Sequence, residues 1–116
     1  MVQMTIQVPD ELEAKLRPIQ RWVPAILSLG LGGFKTAASE TATEIIGFLS
    51  QNPTPEAVAG YHLSDRAQRR LQRLLTLNQA GLLGEGEQRE LDEAEEIEHI
   101  MVMLKAQVTG ALERAE

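Results

Sequence analysis

The feature that most constrains this chain is a single stretch in which apolar and polar residues alternate. This stretch is residues 3–8, QMTIQV, and its period of two is typical of a half-buried β-strand. One face carries Met4, Ile6 and Val8, and the other carries Gln3, Thr5 and Gln7. One isolated strand cannot satisfy its own backbone N–H and C=O groups. With no second candidate strand, the pattern predicts a homodimer in which the strand pairs with its copy as an antiparallel ribbon across a two-fold axis.

Helices are predicted for the rest of the chain. Asp10 and Glu13 have the spacing of a capping box at the start of the first helix. Pro18 removes a backbone N–H, so this helix should end or kink near Arg17. Further helix starts are predicted where capping residues or proline precede apolar periodicity, namely at Pro24, Thr41 with Glu44, Thr54 and Ser64.

The last two predicted helices are expected to form an antiparallel hairpin. One follows Ser64 and ends near Asn78, and the other runs from Glu87 to about Glu113, with a short link between them. A composition break near Asn52 divides the chain. Residues 1–52 are predicted as a strand-helix-helix module for dimerisation and DNA contact, and residues 53–116 as a helical hairpin that binds a partner.

Composition restricts the class of protein. Hydrophobic residues make up 43% of the chain but aromatic residues only 3%, so the core must be aliphatic, which favours helices. A formal charge of −6 argues against coating nucleic acid through bulk electrostatics. The absence of cysteine excludes disulfides, thiolate metal sites and a cysteine nucleophile.

No targeting or membrane segment is expected. Acidic residues arrive early in the N-terminal region, at Asp10 and Glu11, which disagrees with a signal peptide. The most apolar stretch, WVPAILSLGLGGF, is 13 residues long, whereas a membrane span needs about 20. The prediction is a cytoplasmic protein with no membrane partner.

The N-terminal pattern M-T-I-Q-V-P-D-E-L-x-x-x-L followed by P-A-I-L-S-L-G-L resembles the ribbon-helix-helix family of dimeric DNA-binding proteins. The resemblance implies a ribbon in the major groove, with its outward side chains reading base edges. On this chain those side chains are Gln3, Thr5 and Gln7. The residues expected in the dimer core are Met4, Ile6, Val8, Leu12, Leu16 and Trp22.

A second pattern covers roughly residues 64–108. It reads R-L-Q-R-L-L-T-L-N-Q-A-G-L-L followed by E-Q-R-E-L-D-E-A-E-E-I-E-H-I-M-V-M-L-K-A-Q, and it resembles small bacterial proteins, notably cyanobacterial ones, that look like antitoxins. The resemblance implies a partner protein, a toxin encoded nearby. The residues predicted to bind this partner are Glu93, Glu96, Ile97, Ile100 and Leu104.

Charge is divided between these two predicted helices. The first is rich in arginine and the start of the second is rich in carboxylates. Intramolecular pairing with solvated faces explains this division, each exposed pair contributing about 0.2–1 kcal/mol. The alternatives are that the acidic band blocks a basic toxin surface, or that the arginines bind phosphate.

A metal site is a weaker alternative. Glu96 and His99 have the Glu-x-x-His spacing that di-iron four-helix proteins use, but no further ligand set accompanies them. The sequence therefore predicts a non-enzymatic, dimeric antitoxin-like or transcription-regulatory protein without a cofactor. The alternatives are a helical scaffold or adaptor that does not bind DNA, and a ferritin-like metal-binding protein.

Overall fold

The computed structural model describes residues 2–115, in which helices connected by short loops form the fold. A 3-10 helix lies between the first two α-helices. In chain order the elements are α1 (Asp10–Leu16), the 3-10 helix (Arg17–Trp22), α2 (Val23–Leu31), α3 (Ala38–Leu49), α4 (Pro55–Ala59), α5 (Asp65–Gln79) and α6 (Glu85–Ala115).

The predicted N-terminal strand is wrong. Residues 2–115 contain no strand, and no backbone hydrogen bond joins residues 2–8, the N-terminal arm, to the rest of the described chain. A strand exists only where a second backbone pairs with it, and the described chain provides none. The predicted ribbon, with its pairing across a homodimer, is therefore not seen.

Prolines and polar side chains set several helix boundaries. Pro18 ends α1 as predicted, since the chain continues as a 3-10 helix in which Ile19 has non-helical angles (φ −108, ψ 16). Thr54 and Ser64 cap α4 and α5 as predicted, accepting hydrogen bonds from the backbone N–H groups of Ala57 and Ala67.

Two predicted capping boxes are wrong. At α1 the N-cap is Pro9, which has no side-chain acceptor, and Glu13 pairs with Arg17 instead of reaching back. At α3 the helix begins at Ala38, upstream of Thr41. The N-cap is Ala37, which makes no side-chain cap bond, and the hydroxyl of Thr36 before it accepts from the backbone N–H of Ala38.

Gly81 ends α5 in a left-handed conformation with φ of 71°. The N–H of Gly81 donates to the carbonyl of Asn78 and the N–H of Leu82 donates to that of Leu77, the two bonds of a Schellman motif. Two of the carbonyls left over at the end of α5 are thereby satisfied, and the chain turns toward α6.

The predicted antiparallel hairpin of the last two helices is also wrong as a description of the C-terminal region. α6 has 31 residues and α5 has 15, so α5 can cover only part of α6. The remainder of α6 packs on α2, α3 and α4. Because its apolar side faces four helices, α6 is the central element of the fold.

The core draws on residues from both sides of the break near Asn52. Trp22, Ile45 and Leu49 come from the N-terminal part, while Ile97 and Leu104 come from α6. The indole N–H of Trp22 donates to the carbonyl of Pro53 at 3.2 Å. This bond satisfies the polar atom of a side chain that is only 1% exposed.

Candidate partner-binding surface

The N-terminal arm projects large apolar side chains into solvent. Val2 is 95% exposed, Met4 85% and Ile6 63%. Val8, next to the first turn of α1, is half-buried. Since scattered single apolar residues are common on protein surfaces but a run of them is not, the arm is the most exposed apolar segment of the described chain.

Three of the residues predicted for a dimer core lie in helices. Leu12 is 42% exposed on α1, and Leu16 is half-buried against the chain's own core. Trp22 lies inside that core. The structure therefore places Trp22 among contacts within one chain, and it separates this residue from the exposed arm.

The residues predicted to read DNA are exposed but share no ribbon. Gln3, Thr5 and Gln7 all lie in the arm, whose backbone is unpaired within the described chain. A two-stranded ribbon holds its outward side chains at fixed spacing in the groove. Without a second strand, nothing in residues 2–115 holds these three side chains in a common reading face.

The residues predicted to bind a partner through α6 fall into different environments. Ile97 and Leu104 are 2% and 7% exposed and pack in the core, and Ile100 is half-buried against it. Glu96 is exposed. The apolar side of α6 is thus largely covered by the chain's own helices, and its acidic side faces solvent.

Glu93, the fifth predicted partner-binding residue, connects α6 to the loop before α3. Its carboxylate accepts from the backbone N–H groups of Lys35 and Thr36 at 3.0–3.1 Å and from the Thr36 hydroxyl at 2.7 Å. Burial raises the pKa of Glu93, but the hydrogen bonds from Thr36 and Lys35 and the charge of Arg89 outweigh it, so the pKa lies below its ordinary value. The carboxylate acts as a fixed acceptor for this loop.

An ion pair joins α5 to α6. The Arg70 guanidinium donates to both carboxylate oxygens of Glu90, at 2.7 and 2.9 Å. The Glu90 side chain is only 10% exposed, and the hydrogen bond from Arg70 to Glu90 raises the pKa of Arg70. Sequence reasoning missed this pair because Glu90 is one of many carboxylates in its segment, and periodicity does not say which one meets an arginine.

A polar cleft of about 570 Å³ lies between α3, α5 and α6. Three of its charged side chains are engaged, whereas Arg66 and Glu40, which also line it, are exposed and 4.0 Å apart. Arg70 pairs with Glu90, and Glu44 accepts from the backbone N–H of Ser64 at 3.1 Å. These contacts connect α5 to α6 and the N-cap residue of α5 to α3.

The weak metal candidates Glu96 and His99 are both exposed. Residues 2–115 contain no group of three or more histidine, aspartate or glutamate side chains that could hold a metal ion. No helix among these residues has the length and apolar content needed to cross a membrane.

Comparison with protein-family models, curated proteins and solved structures finds no match for this chain.

Proposed function

We propose that this chain is a non-enzymatic, antitoxin-like protein that binds a partner protein through its N-terminal arm. The observation that supports this proposal is that residues 2–8 combine an unpaired backbone with exposed apolar side chains. Their backbone is unpaired within the described chain, and three of their large apolar side chains are 63–95% exposed. Such a segment has free hydrogen-bonding groups and free apolar surface at the same place.

The spacing of the arm's apolar side chains favours one mode of binding. Val2, Met4 and Ile6 recur at every second residue, so in an extended conformation they point to the same side. An extended segment can add a strand to the exposed edge of a partner's sheet. In that mode main-chain hydrogen bonds supply affinity, and pockets for alternate side chains supply specificity.

The arm is free to bind because the fold does not need it. The core is built from residues between Ile19 and Val108, and no residue of the arm belongs to it.

The radius of gyration is 16.1 Å, whereas a compact domain of this length has about 13 Å. The molecule is therefore more elongated than a compact domain of its length.

The test places a photo-crosslinking amino acid at Met4 in the full chain and, in a second variant, at the exposed residue Glu113. After irradiation in the native host, we expect one protein to be linked through position 4 and not through position 113. Adding charge to the apolar side of the arm, with Met4→Asp and Ile6→Asp together, should abolish co-purification of that protein.

The matched control adds the same charge on the other side of the arm, with Gln3→Asp and Gln7→Asp together. This control should retain most of the partner, because those side chains face away from its pockets. Equal recovery of the partner by both double variants would contradict the proposal. An adduct at position 4 with a second copy of this chain would also contradict it.

A further inference from the structure

Helix α5 lies at the edge of the fold. Its main packing partner among the described helices is α6, and Leu74 is its one fully buried residue. The side of α5 that faces away from α6 is therefore open to solvent along its length.

Three arginines lie along one side of α5, where Arg66 also borders the polar cleft between α3, α5 and α6. Arg66, Arg69 and Arg73 are spaced by three and four residues, which places them in neighbouring positions on one helical face. From first to last they span about 10.5 Å along the axis, at a rise of about 1.5 Å per residue. All three are exposed, and we call them the arginine face of α5.

The arginine face is weakly engaged by the protein's own carboxylates. Arg66 lies 4.0 Å from Glu40, with side chains 88% and 68% exposed, a geometry that contributes little. Arg69 donates to the backbone carbonyl of Asp65 at 3.3 Å. Arg73 forms no ion pair with any residue in the described range 2–115.

The negative net charge of the whole chain does not give the local charge of the arginine face, which is positive. Eight acidic residues and one arginine lie between Glu85 and Glu98, so this segment accounts for the whole negative excess of the molecule. Arg70 and Glu90 form the one ion pair between this segment and α5 among the described residues, and none of its carboxylates pairs with Arg66, Arg69 or Arg73.

We propose that the arginine face of α5 binds the phosphodiester backbone of nucleic acid. Guanidinium groups match phosphate oxygens in geometry and remain charged at any physiological pH. A row of three on one exposed helix side can contact successive phosphates, without reading bases. This surface is separate from the N-terminal arm, so it stands whether or not the arm binds a partner protein.

The test measures fluorescence anisotropy of labelled 20-mers at 50 mM NaCl with the full chain. Three probes of one sequence are used: duplex DNA, single-stranded DNA and single-stranded RNA. We expect binding to at least one of them, with log K falling against log salt by about 0.9 per phosphate contact on duplex or about 0.7 on a single strand. Replacing Arg66, Arg69 and Arg73 by glutamine should weaken this binding by about tenfold or more and flatten the salt dependence.

The matched control replaces three exposed basic residues elsewhere, Lys15, Arg17 and Arg114, by glutamine. It changes the net charge by the same amount and should retain most of the affinity. Circular dichroism melting checks that both triple variants are folded, and Arg70 is left unchanged in each. No binding by the wild-type chain at 50 mM NaCl, equal weakening by both triple variants, or tighter binding to polyglutamate than to every nucleic acid would overturn the proposal.

Discussion

The guanidinium of Arg70 and the carboxylate of Glu90 hold α5 against α6 through two hydrogen bonds, 2.7 Å from Nε and 2.9 Å from Nη2. The pair is asymmetric in its exposure, since the Arg70 side chain is 43% exposed and the Glu90 side chain 10%. The buried Glu90 carboxylate therefore relies on Arg70 to compensate its charge, whereas the Arg70 guanidinium can also be solvated by water.

Replacing Arg70 by methionine should lower the free energy of unfolding by about 2–3 kcal/mol, because it leaves the Glu90 carboxylate buried without its charged donor. Replacing both residues by methionine should recover most of that loss. Urea unfolding of the two single variants and the double variant measures the coupling between them. Strictly additive single effects would show that the two side chains do not depend on each other.

Trp22 should stabilise the fold of the single chain rather than an interface between subunits. Trp22→Phe removes the donor to the Pro53 carbonyl and leaves a small cavity, so we expect a loss of about 2 kcal/mol. Because its contacts are intramolecular, the loss should be the same at low and high protein concentration, as measured by circular dichroism melting. Leu31→Ala, at a position 82% exposed, is the control and should change little. A loss that grows with concentration would place Trp22 at a subunit interface instead.

The contact between Glu93 and the loop before α3 should make stability depend on acid pH. The pKa of Glu93 is lowered from its ordinary value of 4.5 in the folded chain. The ionised carboxylate therefore stabilises the fold above that pH, and its contribution is lost as the pH falls through the lower folded value. Glu93→Gln should reduce this acid-dependent loss in urea unfolding from pH 7 to pH 3.

Glu95→Gln is the charge-matched control for the Glu93 experiment. It removes the same charge two residues further along α6 but leaves the contacts to Lys35 and Thr36 in place. The acid-dependent loss should therefore persist in this variant. Identical profiles for the two variants would mean that overall charge, rather than the loop contact, causes the pH dependence.

Replacing Gly81 and Gly47 by alanine should change the stability of the fold in opposite directions. Gly81 has a positive φ of 71°, where a side chain is strained, so Gly81→Ala should destabilise the chain by about 1–2 kcal/mol. Gly47 lies within α3, and a Cβ there meets nothing within 4 Å, so Gly47→Ala should stabilise it by about 0.5–1 kcal/mol. Thermal melting of both variants checks the signs, and a stabilising Gly81→Ala would contradict the Schellman turn.

The N-terminal arm should be dispensable for folding. Deleting residues 2–8 removes no core contact and no backbone hydrogen bond within the described chain, so the free energy of unfolding should change by less than about 0.5 kcal/mol. In the intact chain, the arm's amides should exchange with solvent as fast as those of an unfolded peptide. Hydrogen exchange read by mass spectrometry tests this, and slow exchange in the arm would show an internal contact.

The helical class and several helix ends could be predicted from sequence because they depend on local chemistry. Pro18, Thr54 and Ser64 act on their own turns. The strand could not be decided locally, since residues 3–8 have the pattern of a strand but a strand also needs a partner backbone. For the same reason, the sequence could not predict which side of α6 is covered or which residues contact Glu90 and Glu93, because these contacts come from distant parts of the chain.

The position of α6 also sets the timing of folding during synthesis. The core residues of α2, α3 and α4 are made before the helix that covers them. At about 5–20 residues per second, the ribosome takes about 3–12 s to add the segment from Leu49 to Val108. During that interval, Ile45 and Leu49 lack the α6 residues that share their core in the complete fold. The nascent chain therefore carries these two apolar side chains without their final packing until α6 is made.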